Sequence, residues 1–150
     1  MLTLPALLAD PSAAGLYRLT SRRSTAALRR QIERAGWRCF ALDGAGVADK
    51  ASFLRAVAGA MAFPAYFGNN WDALEECLTD LSWVTGTDQA GQILLYEHVA
   101  PFIRAAPADW VVAREILAAA VAHRRGTPTP LAVLLRGAGE LAPDLPLVRA

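Results

Sequence analysis

Four carboxylates, Asp72, Glu75, Glu76 and Asp80, stand within ten residues of one another, and no Lys or Arg lies between Pro64 and Ser82. At about 100° per residue around a helix axis, these acids share one arc, while Leu74, Cys77, Leu78 and Leu81 share the opposite one. The segment therefore carries a local charge of −4 on a chain whose total is +1. A solvated helix face is the plain alternative, but such faces usually mix signs at i to i+4 spacing, and unrelieved like charges cost a few tenths of a kcal/mol each. Tyr66, Phe67 and Trp71 add aromatic groups just ahead of the acids, and Gly68 permits a tight turn that would present Tyr66 outward while Phe67 is buried. Aromatic anchors beside charge of one sign describe a surface for a cationic partner.

The acids need a helix and a scaffold beneath it. Asn69 or Asn70 can cap a helix over residues 70–83, and Gly86 between two threonines marks its exit. LYRLT (Leu16 to Thr20), WRCFAL (Trp37 to Leu42), ILLY (Ile93 to Tyr96) and LAVLL (Leu131 to Leu135) read as strands, the third with two apolar faces and hence central. Helices are predicted after Ser24, after Asp49, near Val99 to Ala105 and from about Ala108 to Arg125, giving the order β-α-β-α-α-β-α-α-β. Strand, helix, strand at these spacings implies parallel pairing. The expected fold is α/β with a mostly parallel four-stranded sheet packed with helices. Residues 1–14 are expected to be a loosely held arm, residues 15–150 one domain, and the proline-bearing tail after Leu135 a surface strap.

Composition narrows the function classes. Fifteen Lys and Arg nearly cancel 14 Asp and Glu, so any electrostatic role must be local. The opening MLTLPALLA has no leading cation and is broken by Pro5, unlike a secretory signal, and no apolar run reaches the roughly 18 residues that cross a bilayer. A cytoplasmic protein without a membrane partner is expected. Cys39 and Cys77 occupy apolar positions and are expected to be buried, reduced thiols; His98 and His123 stand alone, so neither a metal nor a cofactor is expected.

The stretch FPAYFGNNWDALEECLTDL, nineteen residues from Phe63 to Leu81, resembles the barstar family's pattern of apolar-Pro-x-Tyr-aromatic-Gly-x-Asn-x-Asp-Ala-Leu-x-acid-Cys-Leu. Pro64, Tyr66, Gly68, Asn70, Asp72, Ala73, Leu74, Cys77, Leu78 and Thr79 fall where that family has the same residue. The likeness extends more weakly over residues 37–135, which leaves residues 15–36 as an additional βα unit.

The resemblance implies a non-enzymatic inhibitor whose partner is a cognate ribonuclease, of the immunity or antitoxin type. It places ribonuclease-facing positions at Tyr66, Asp72, Glu75 and Glu76, with Asn70 supporting the helix start; Asp80 extends the same acidic face. The chain departs from the family's prototype at two of these places and at Leu81, having Glu75 and Leu81 where the prototype has Trp, and Glu76 where it has a shorter Asp. A later acidic contact is absent, since residues 119–122 contain no acid. A ribonuclease must hold phosphates in a positive cleft, so carboxylates on a rigid helix can imitate the substrate's charge without being cleaved. Electrostatic steering is the family's known behaviour; the location of the acids is this chain's own.

Two other classes compete. An α/β enzyme would need a nucleophile elbow or a phosphate loop; DGAGVAD (Asp43 to Asp49) supplies only G-x-G, with Asp49 where a third glycine belongs, and reads better as a turn before a helix. Nucleic-acid binding could use Arg18, Arg22, Arg23, Arg29, Arg30, Arg34 and Arg38, offset only by Glu33, but Tyr17 and Trp37 are the only aromatics nearby for stacking, and no nucleic-acid partner is expected. A module of the same family binding a protein other than a nuclease is a further alternative.

Overall fold

Strands that are apolar on both faces need cover on both sides, and this chain supplies it. The computed structural model describes residues 2–64, 67–80 and 89–150. Its strands are β1 (Leu2–Thr3), β2 (Leu16–Thr20), β3 (Arg38–Asp43), β4 (Gln92–Glu97), β5 (Leu131–Arg136) and β6 (Leu147–Arg149). They form one sheet in the order β1-β6-β2-β5-β4-β3, with every adjacent pair parallel. The α/β class and all four expected strands are present.

Helices α3 (Lys50–Met61), α4 (Trp71–Asp80), α5 (Ala100–Ala105) and α6 (Pro107–Arg124) cover one face of the sheet, and α1 (Leu4–Ala9) and α2 (Thr25–Arg34) the other. Strand β4 shows the division: Leu94 and Tyr96 join Phe53, Phe102 and Leu117 on the first face, whereas Ile93 and Leu95 join Leu7, Leu28 and Ile32 on the second. The result is a three-layer arrangement.

Local chemistry sets the helix ends. Ser24 caps α2 by accepting from the Ala27 amide, and Gly36, with φ of +89°, follows its end. Asp49 and Ser52 form a reciprocal capping box at the start of α3. Between β3 and α3, Gly44 is required by close approach: a Cβ there would stand 2.4 Å from the Tyr96 ring and 2.6 Å from the Glu97 carbonyl oxygen. The turn reading of DGAGVAD thus has a steric cause.

Three expectations are corrected. The sheet has six strands among the described residues rather than four, because β1 and β6, of two and three residues, are too short to show a period of two. Residues 1–14 are not a loosely held arm, since Leu4, Leu7 and Leu8 are buried and the Trp37 indole N–H donates to the Leu8 carbonyl at 3.0 Å. The tail is more than a strap, because β6 lies between β1 and β2 and buries Val148.

Cys39 and Cys77 are both free and buried. Burial pushes the Cys39 thiol up to about 11, and burial with the nearby Glu76 and Asp80 charges raises that of Cys77. Among the described residues, no helix is long and apolar enough to cross a membrane.

Candidate functional site: the acidic face of α4

The acidic surface is built from the loop before α4 upward. Asn69 takes a left-handed backbone conformation, φ of +53°, and turns the chain so that Asn70 becomes the cap. Its side-chain oxygen accepts from the Ala73 amide at 2.8 Å, and its carbonyl accepts from Leu74 at 3.0 Å. Of the two asparagines that could cap this helix, Asn70 does so. Asn70→Ala is expected to cost about 1 kcal/mol of stability, measurable by urea denaturation; no loss at all would show that the cap contributes nothing.

Helix α4 then runs for ten residues with Leu74, Cys77 and Leu78 buried and Asp72, Glu75, Glu76 and Asp80 exposed. Asp72, Glu76 and Asp80 follow one another at i+4 spacing, about 6 Å of rise per step, and Glu75 flanks the row. Among the described residues, Asp72, Glu75 and Glu76 form no ion pair. Asp72 lies in the first turn, where a negative charge meets the positive end of the helix dipole. The lower half of the helix is tied internally, the Thr79 hydroxyl donating to the Glu75 carbonyl at 2.9 Å.

At the far end the Arg124 guanidinium, from the last turn of α6, donates to the Asp80 carbonyl at 3.4 Å and to the Thr129 carbonyl at 3.0 Å. This cation meets the negative end of α4's dipole and links α4, α6 and the loop before β5. Sequence reasoning alone did not find this contact. The signal present was a basic triplet ending a helix that must pack beside α4.

The two described aromatic groups of this segment both pack inward in part. Trp71 is half-buried, 6.0 Å from the Phe53 ring, with the Lys50 ammonium 5.2 Å over its face. It braces α4 on α3 rather than standing out beside the acids. Phe67, expected to be buried, is half-buried against Phe63 at 4.9 Å. Tyr66 and Leu81 lie outside the described residues. Ala119 and Ala122 of α6 are exposed and add no charge to this surface.

The arginine-rich segment is on the opposite layer, with Arg29 and Glu33 paired at 3.1 Å on α2. Trp37 is buried and not free to stack on a base, and the half-buried Tyr17 is tied through its hydroxyl, which donates to the Ala13 carbonyl.

A parallel α/β scaffold thus exposes Asp72, Glu75 and Glu76 along one side of a helix, free of ion pairs among the described residues, as a negatively charged surface. Comparison with protein families matches residues 37–136 to the model described as barstar (barnase inhibitor), and the chain belongs to that family. A search of curated proteins gives no match. The matched span runs from the residue before β3 to the last residue of β5, so β2, α2, β6 and the N-terminal elements lie outside it.

Proposed function

We propose that this chain is a proteinaceous ribonuclease inhibitor of the immunity or antitoxin type, acting in the cytoplasm and without enzymatic activity. The observation that carries the reading is the exposed row of Asp72, Glu75 and Glu76 on α4, free of ion pairs among the described residues in a chain of the barstar family. A nuclease active site gathers Arg, Lys and His to hold phosphate. Asp72 and Glu76, one turn apart, would pair with those cations, bidentate where Arg is present. Glu75 and Asp80 would widen the negative field, and Tyr66 would pack at the rim.

Asn70 acts indirectly, by fixing where the first turn begins. The proposed partner is a cognate ribonuclease, with no nucleic acid, membrane or cofactor involved. The test is titration of a ribonuclease that copurifies with the tagged chain or is encoded beside it. One equivalent should abolish RNA cleavage, with an association rate that falls as salt rises. A copurifying protein that is not a nuclease, bound through the same acids, would redirect the reading to another cationic partner.

A further inference from the structure

The layer remote from α4 carries a second feature, independent of any nuclease. The carboxyl ends of β2, β4 and β5 open onto a cleft of about 470 Å3 bordered by Arg22, Arg23, Ser24, Thr25, His98 and Gly137. Strands β2 and β5 are neighbours, yet the chain leaves β2 for the α2 face and leaves β5 for the opposite face, where Ala138 and Ala142 are buried. In open parallel α/β sheets such divergence creates the crevice where ligands bind.

The floor of the cleft is built with care. Glu97, only 6% exposed, pairs with Arg136 at 3.0 Å. The Arg136 guanidinium also donates to the Ser21 carbonyl at 3.0 Å and to the Arg23 carbonyl. A buried ion pair adds little net stability over an apolar pair of similar volume, and positional specificity is the use best attested for such pairs. Here it pins the Ser21–Arg23 loop and so sets the two exposed arginines at the mouth. Arg22 forms no ion pair among the described residues, and Arg23 is held by the Gln31 side-chain oxygen. Ser24 and Thr25, at the α2 amino terminus, border the same space. Among the described residues His98 supplies the one ring at its border, against two arginines, so recognition falls first on the charged group of a ligand.

We infer that this cleft binds a phosphoryl group, as inorganic phosphate or as the phosphate of a small monoester, through Arg22 and Arg23, with Glu97 and Arg136 as positioning residues. Calorimetric titration of the full chain with inorganic phosphate and with a nucleoside 5′-monophosphate, at matched ionic strength, tests it. Saturable one-to-one binding of both is expected, weakened at least about tenfold by R22A/R23A and unchanged by R30A. Both arginines are exposed, so the double variant should fold as wild type by circular dichroism and inhibit the nuclease equally well. Absence of saturable binding by wild type, or equal binding by R22A/R23A, overturns the inference. So does nucleotide binding without phosphate binding, or binding only of an oligoribonucleotide that depends on Arg30 and Arg34.

Discussion

Replacing Asp72 and Glu76 together by Ala should weaken the complex with the cognate ribonuclease by about three orders of magnitude while shifting unfolding free energy by no more than about 0.5 kcal/mol. The asymmetry follows from where the charges sit. In the free protein both carboxylates are exposed and form no ion pair among the described residues, so truncation removes little packing. Loss of Asp72 forfeits a favourable dipole term of a few tenths of a kcal/mol, and relief of the Asp72–Glu76–Asp80 repulsion returns a similar amount. In the proposed complex the same groups would face cations stripped of water, where removing one partner leaves the other charge unpaired at a cost of about 2 to 5 kcal/mol. The two effects share one cationic cleft and will not add fully. Stopped-flow association at two salt concentrations, with dissociation measured by competition, separates steering from desolvated pairing. Tight inhibition by the double variant would remove α4 from the mechanism and leave the family assignment standing.

Glu75 sharpens this expectation. Where the family's prototype has an aromatic group this chain has a third acid, Glu75, so the proposed surface exchanges apolar contact area for charge. Such a surface depends more on salt and on the partner's cation spacing than one anchored by an indole. On the proposed reading, such a surface favours a nuclease whose cleft offers a cation beside the central pair.

The α4 surface was legible in the sequence because two periodicities coincide there. Leu74, Cys77 and Leu78 are buried and the four acids exposed, as the 3.6-residue repeat requires, and Asn70 is a residue type with one strong role at a helix start. The four longer strands were legible for the same reason. The role of Trp71 was not decided by the sequence, because an aromatic residue beside acids suits an anchor and a brace equally, and only the position of Phe53 decides between them. The first helix carries Leu4, Leu7 and Leu8 at helical spacing, but two prolines within eleven residues hid it; Pro5 sits in the first turn, where its missing N–H costs nothing. The Glu97–Arg136 pair could not be read before the register was known. Each residue simply ends an apolar strand, and it is the parallel alignment of Tyr96 with Leu135 that brings the two charges side by side.

Leu78→Ala should do the reverse of the acidic double substitution, lowering unfolding free energy by about 2 to 5 kcal/mol and leaving the affinity of the folded fraction nearly intact. Leu78 is fully buried in the core that α4 shares with α6 and the sheet. A helix of ten residues is too short to persist alone in water, so the row of carboxylates exists only while Leu74 and Leu78 hold the helix down. Removing three carbon atoms from Leu78 forfeits their transfer free energy and leaves a void that the surrounding Leu, Val and Phe side chains fill only in part. Against a total stability of roughly 5 to 15 kcal/mol for a domain of ordinary size, that loss is large enough to read as an early urea midpoint with an unchanged slope. Nuclease titration at low temperature, corrected for the folded fraction, should then return an affinity within about threefold of wild type, since no group facing the partner is altered. A loss below about 1 kcal/mol would mean that α4 is not anchored through this side chain. An affinity collapse without loss of stability would mean that the partner reads the apolar side of the helix and not its acids.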